Sequence, residues 1–321
     1  MRKEAGIQGS GFRIQQGGRS AGRWAALLAV IMAAGCASPK AAQFTDADWV
    51  SHSTTGRGAY ERGDYRRAEE AYGRAERRAK ALDDADALAV AAVNRAVCLV
   101  AAGRADAALA GVEEALADGR VSPGRRAELM VAGARAAAAA GKADEALARA
   151  EAALKLEPEA ALKAQAQLAR GAAWLAKKDA AAAEQALAEL SGKEWGRLPA
   201  SIRAEEAVLR AQIAAAEKKP TVAMSWQDKA AARWKKAGRL PEMARALAEA
   251  GRQAKAADDL AGACDRFRRA ARSLWAQGFG PEAVRTLEEG VSCAERLKDE
   301  AVAKKMADLF VTFKEEQRLE K

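Results

Sequence analysis

Groups able to do chemistry are scarce. The chain of 321 residues holds one histidine, His52, and four cysteines. Chemistry that needs several imidazoles has nothing to build on. A Ser/His/Asp relay would have to recruit His52 from near the start of the first expected helix, and no Gly-x-Ser-x-Gly elbow is present to offer a nucleophile. There is no Gly-rich phosphate loop either. Carboxylates are the remaining catalytic option, and Glu205, Glu206, Glu242 and Glu282 are the candidates for an enzyme, or a regulatory subunit of one, acting on peptidoglycan or envelope proteins. The alternative places all four in first helical turns, where negative charge opposes the helix dipole. Acidic clusters at Asp83-Asp84-Ala85-Asp86 and Asp258-Asp259 lie between expected helices, where aspartate caps the exposed N–H groups of the following helix. No metal site, cofactor or small-molecule substrate is expected. Cys264 and Cys293 are spaced evenly about the Gly278-Phe279-Gly280 turn, at one height in an antiparallel helix hairpin. A disulfide in an oxidising compartment is one reading. Helices packed about 8 to 10 Å apart hold many Cα pairs beyond the roughly 7 Å bridging limit, which favours two small buried thiols. Cys98 reads as buried and inert.

The elements that carry these residues are helices. Hydrophobic residues make up 50% of the chain and aromatics only 5%, an alanine-rich balance that suits closely packed helices. Pro123, Pro158, Pro199, Pro241 and Pro281 each open a long helical pattern, where the missing N–H of proline costs nothing. They recur at close to 40 residues. Gly238-Arg239-Leu240-Pro241-Glu242 aligns with Gly278-Phe279-Gly280-Pro281-Glu282, and Arg245/Arg285, Leu247/Leu287 and Glu249/Glu289 follow in register. A period near 40 holding two helices predicts a solenoid, in which each pair buries its apolar face on the next. The final stripe, Met306, Leu309, Phe310 and Phe313, reads as core contact of a capping helix that ends in charged residues.

Within each period lies a second pattern. Gly63, Tyr65, Ala68, Tyr72 and Ala75 mark a turn, small and aromatic positions. Gly103 with Ala108, Val112 and Ala115, then Gly141 with Ala146, Ala150, Ala153 and Pro158, repeat it, as do Gly171, Trp174, Ala183 and Leu187. Beyond Ser191 the small positions persist at Ala223 and Ala230, and at Ala263, Phe267 and Ala270, but the helices lengthen. This pattern resembles the tetratricopeptide repeat. The resemblance implies an all-α, right-handed solenoid of about seven antiparallel helix pairs, with a repeat domain over 44–191 and longer repeats with a capping helix over 192–321. It also implies a concave face that binds protein segments. Arg57, Tyr60, Val93, Val97, Arg135, Gln212, Arg252 and Lys255 fall at the family's groove positions. They do not form the lysine/asparagine clamp that grips a C-terminal carboxylate.

Ahead of the repeats stands an apolar run, Trp24 to Gly35, preceded by Arg13, Arg19 and Arg23 and followed by Cys36. At about 12 residues it is too short to span a bilayer, which takes roughly 20, and it reads as a cleavable export signal. Ala33-Ala34-Gly35-Cys36 resembles a bacterial lipoprotein signal. The resemblance implies removal of residues 1–35, acylation of Cys36, and a tether over 36–43. Ala37 in place of aspartate after the cysteine implies sorting to the outer membrane, facing the periplasm. Loss of residues 1–35 removes five basic residues and one acidic residue, lowering the formal charge from +9 to +5. Acidic residues are interleaved with the arginine clusters at 66–78 and 266–272, and no stacking aromatics accompany them, which argues against nucleic acid. The expected function is a membrane-anchored interaction scaffold for envelope proteins. A cytoplasmic scaffold is the expectation if the signal is not processed.

Overall fold

The computed structural model describes residues 44–319. The signal segment, Cys36 and the tether lie outside the described residues. Every described element is a helix. Seven antiparallel pairs follow one another: α1 (Ala47–Glu61) with α2 (Tyr65–Ala81), α3 (Ala85–Ala101) with α4 (Ala105–Leu116), α5 (Pro123–Ala139) with α6 (Ala143–Lys155), and α7 (Ala160–Ala176) with α8 (Ala180–Ala188). A short α9 (Gly192–Arg197) bridges to α10 (Ala200–Ala216) with α11 (Pro220–Lys236), α12 (Leu240–Ala256) with α13 (Leu260–Trp275), and α14 (Gly280–Leu297) with α15 (Glu300–Leu319). This is the all-α helical-repeat solenoid that the periodicity predicts. The prolines sit where helices start: Pro123 and Pro220 are first residues, Pro241 and Pro281 second residues, and Pro199 caps α10.

Turns between helices repeat one hydrogen-bonded design. At the α1–α2 turn, the Gly63 N–H donates to the Tyr60 carbonyl at 2.9 Å and the Asp64 N–H to the Ala59 carbonyl at 3.0 Å. That pair of bonds satisfies carbonyls left over at the helix end, and it demands a left-handed residue. Gly63, Gly103, Gly141, Gly238 and Gly278 supply it with φ between +72° and +80°. Asp83, Glu157, Lys178, Lys218, Asp258 and Lys298 adopt the same conformation without being glycine. The aspartates after several turns act as predicted: Asp64, Asp84, Asp179 and Asp259 accept from N–H groups three residues on, at 2.8 to 3.0 Å. These bonds account for the acidic clusters.

Helix pairs cross at matched positions. In three pairs a glycine of the first helix packs on a large side chain 16 residues on, Gly56 on Tyr72, Gly251 on Phe267 and Gly290 on Met306, and Ala134 and Ala150 share a buried cluster at the same spacing. The spacing places the small residues Ala96 and Ala211 at the corresponding positions of their pairs. Gly171 instead faces Leu209 of α10 together with Ala183 and Ala186. A Cβ on Gly56 would lie 2.9 Å from the Tyr72 ring, and one on Gly251 would lie 3.1 Å from that of Phe267. Close approach of axes, the purpose of the small residues, is thus set by the size of the partner.

Second helices differ in length. α4, α6 and α8 have 12, 13 and 9 residues, whereas α2, α11 and α13 have 17, 17 and 16. Across the short ones, successive first helices pack on each other, α3 on α5, α5 on α7, and α7 on α10. Across the long ones they make no comparable contact. A 17-residue helix is about 25 Å long, as long as the first helices it separates, and fills the space between them. The C-terminal end closes as expected, with Met306 and Phe313 buried and Leu309 and Phe310 packed on the same cluster. Phe313 stacks on Trp275 with centroids 4.2 Å apart.

Candidate protein-binding surface

All eight groove candidates fall on first helices: Arg57 and Tyr60 on α1, Val93 and Val97 on α3, Arg135 on α5, Gln212 on α10, Arg252 and Lys255 on α12. Five of them, Arg57, Val97, Arg135, Gln212 and Arg252, directly follow the small crossing residue of their pair, so they share one face of the array. Exposure along this column is uneven. Arg57 and Arg252 are exposed and Val93 and Lys255 half-buried, whereas Val97, Arg135 and Gln212 are buried. Tyr60, one turn beyond Arg57, is buried as well.

The middle of the column is closed by an ion pair. Arg135 of α5 reaches past α7 to hydrogen-bond Glu205 of α10, with both side chains almost fully buried. Helices on either side of a third can meet across it only on the inside of a curve, so this pair marks the concave face. Among the described residues Arg57 at one end makes no ion pair, and Arg252 at the other is bound to Glu249 and Glu289, both at 2.8 Å. The candidate groove is therefore open at its two ends and filled at its centre.

A second contact joins regions far apart in sequence. The α1–α2 turn meets the turns before α12 and α14. Arg239 lies 4.8 Å above the Tyr60 ring, Arg245 lies 5.3 Å from the Phe279 ring, and the Phe279 ring comes so near Gly63 that a Cβ there would stand 2.5 Å away. Arg239 pairs with Glu242 at 2.6 Å and Arg245 with Glu282 at 2.8 Å. Burial raises the Tyr65 phenol above its usual range, opposed by the Arg245 charge. Burial alone would lower the guanidinium pKa values of Arg239 and Arg245, but hydrogen bonds to their glutamates raise both. Turns within pairs lie on one rim of such an array and turns between pairs on the other. The contact thus stacks one rim of the first pair on the opposite rim of the last three. Sequence reasoning missed this closure. Its one signal was that Arg239 and Phe279 both directly follow a turn glycine in the aligned segments.

The four catalytic candidates do not converge. Glu205 pairs with Arg135, Glu206 with Arg210 and Arg233, Glu242 with Arg239, and Glu282 with Arg245. Glu242 and Glu282 occupy first turns as expected. Glu205 and Glu206 lie in the second turn of α10, so the dipole does not explain them; their arginine partners do. Charge pairs also link neighbouring repeats at the repeat spacing: Asp83 with Arg120, Asp106 with Lys142, Asp144 with Lys177, Asp228 with Arg266, and Glu289 with Arg252.

Cys264 and Cys293 share one apolar cluster with Phe267 and Met306 as free thiols, without the bridge that their spacing about the turn suggested. The Cys264 thiol donates instead to the Gly290 carbonyl at 3.9 Å. Burial pushes its pKa up to about 11 and raises that of Cys293, so both stay protonated and poorly nucleophilic near neutral pH. Cys98 is a buried free thiol. His52 sits half-buried on α1. Among the described residues no cluster of three or more metal-ligating side chains occurs, and no helix is long and apolar enough to cross a membrane.

Seven stacked hairpins define an all-α helical-repeat solenoid. Two solved structures of tetratricopeptide repeat proteins are similar to it. One is a tetratricopeptide repeat protein from Parabacteroides merdae ATCC 43184, at 16% identity and a TM-score of 0.39 over 83% of this chain and 100% of the other. The second is the TPR2AB-domain:pHSP90 complex of yeast Sti1, at 16% identity and a TM-score of 0.34 over 83% of this chain and 98% of the other. No family model and no curated protein matches the sequence.

Proposed function

We propose that this chain is a protein-interaction scaffold of the bacterial cell envelope, held by lipid on Cys36 and binding an envelope protein along its concave face. The observation that carries the reading is the single-register column on the first helices, exposed at Arg57 and again at Arg252, with half-buried Lys255 beside it. An array of this kind offers a long surface without a catalytic centre, and its four candidate carboxylates are engaged in separate ion pairs. The Ala33-Ala34-Gly35-Cys36 segment supports export and lipid attachment, and Ala37 supports an outer-membrane destination facing the periplasm.

Site-specific photocrosslinking in cells tests the binding face. A crosslinker at position 57 or 255 is expected to give discrete adducts, and one at Arg272, an exposed residue of the second helix α13, is expected to give none. Equal labelling from all three positions would remove the concave face from the proposal. Fractionation with Cys36→Ala as control tests the anchor separately: wild type should follow the membrane and the variant should not.

A further inference from the structure

We propose that the outer face of α2 lies on the anionic phospholipid surface of the bilayer that holds the chain; the inference rests on the lipid-anchor reading above. On a helix of 100° per residue, Arg66, Arg67, Glu70, Arg74 and Arg77 fall within one 100° arc. Arg66 is tied to Glu70 at 2.8 Å. Arg67, Arg74 and Arg77 have no ion pair within the described chain, and all five stripe residues except half-buried Arg74 are exposed. Most arginines elsewhere in the array are committed: Arg95, Arg120, Arg149, Arg210, Arg245 and Arg266 each hold a carboxylate within the fold. Three uncommitted arginines therefore share one stripe, whereas most arginines elsewhere in the array are paired.

Position points to the occupant. The stripe belongs to the first pair, where the chain enters from the tether. Asp46, the cap of α1, is bound to Arg78 of α2 at 2.6 Å, so the chain enters the fold beside Arg74 and Arg77. Asp46 follows Cys36 by only ten positions, a stretch that even fully extended reaches about 35 Å. A lipid on Cys36 would hold the headgroup layer within that distance of Asp46, at the Arg78 end of the stripe, and several arginines near an anionic surface attract it at roughly fivefold in partition each. The closure contact at the other end of α2 fixes this hairpin to the last three pairs. Orienting α2 on the bilayer would thus orient the whole array and set the direction in which the two open ends of the concave column face.

Flotation with vesicles tests this on the chain from residue 36 onward carrying Cys36→Ala, which contains every described helix and has no lipid. Vesicles of phosphatidylcholine with about a third phosphatidylglycerol should bind it at low salt and release it toward 1 M salt, where the screening length falls to about 3 Å. Arg67→Gln/Arg74→Gln/Arg77→Gln should lower the partition on the order of 100-fold, and Arg268→Gln/Arg269→Gln/Arg272→Gln on α13 should leave it within a few-fold. Circular dichroism that matches the parent keeps either triple variant interpretable. Binding to pure phosphatidylcholine as strong as to the anionic mixture, no binding to either, or an equal loss from both triple variants would overturn the proposal. Mass spectrometry of the native N-terminal peptide reads the anchor independently. An unmodified Cys36 with vesicle binding intact sinks the anchor alone, and acylated Cys36 with an inert stripe sinks only the present inference.

Discussion

Pairs two to four and pairs five to seven are made from the same hairpin yet stack differently. In the earlier group the second helices run 9 to 13 residues and the first helices touch across them, giving two layers of contact between neighbouring pairs. In the later group α11 and α13 run 17 and 16 residues, and each helix packs chiefly on its neighbours in the chain. The difference shows that curvature in this solenoid is set by the second helix. A short one lets first helices converge on the inner side, to the point that Arg135 and Glu205 meet across α7. A long one spreads them and leaves Arg252 and Lys255 accessible.

The largest effect is expected where convergence buried charge. Arg135→Ala would break the buried Arg135–Glu205 pair in a dry interior, a change that costs about 3 to 5 kcal/mol, measured as a shift of the urea midpoint. Removing both ends with Arg135→Met/Glu205→Met should recover most of the loss, because a well-packed apolar pair costs no desolvation of charge. If the single variant unfolds like wild type, the centre of the concave face is wet and the contrast between the two groups of pairs fails.

Next comes the matching of sizes at the crossings. Gly56→Ala forces a Cβ to within 2.9 Å of the Tyr72 ring, and overpacking of this kind costs about 1 to 3 kcal/mol. Tyr72→Leu in the same chain should return part of it. Ala134, which faces Ala150, has no large partner, so Ala134→Gly should cost only about 1 kcal/mol through helix propensity. A thermal melt that ranked the two substitutions in the opposite order would show that the 16-residue pairing is coincidence.

Much of this was legible in advance. Proline and glycine spacing located the helix starts, and the alanines at 68, 75, 108, 115, 146 and 153 located the buried face of each second helix, because local chain geometry fixes both. Asp84 and Asp259 read correctly as caps for the same reason. What escaped was set by the third dimension. Tyr60 and Arg135 stood at groove positions in one dimension, but curvature carried Tyr60 under Arg239 and Arg135 onto Glu205. Glu205 and Glu206 looked like first-turn residues because the exact start of α10 depends on how α9 spaces the connection. Closure between residues near 63 and 279 joins turns of different rims, so the aligned Arg239 and Phe279 marked one side of it and nothing in the period pointed to Gly63.

That closure gives a smaller but separable effect. Phe279→Ala removes the ring beside Gly63 and the support of Arg245; cation–π contacts are worth about 0.5 to 1 kcal/mol at such sites. Stability should hardly change, while small-angle scattering should report a larger radius as the first pair lifts from the last three. An unchanged radius would mean that packing along the short-helix section holds the curve by itself.

The smallest effect tests whether the two groups of pairs close their turns at the same cost. Turns within pairs two and three use Gly103 and Gly141, whereas that within pair four uses Lys178 and those within later pairs use Lys218, Asp258 and Lys298, all left-handed. A side chain in that conformation costs about 1 to 2 kcal/mol, offset in part by the extra freedom that glycine loses on folding, roughly 0.5 to 1 kcal/mol. Lys218→Gly should therefore raise stability by about 0.5 to 1 kcal/mol, a melting shift of one to a few degrees for a fold of this size. Gly103→Ala is the mirror experiment, since nothing lies within 4 Å of the added Cβ and only backbone conformation can respond. Equal and opposite shifts would assign the whole effect to the left-handed residue. A Gly103→Ala loss several times the Lys218→Gly gain would instead place extra strain in the earlier pairs, where short second helices leave the turns less room to adjust.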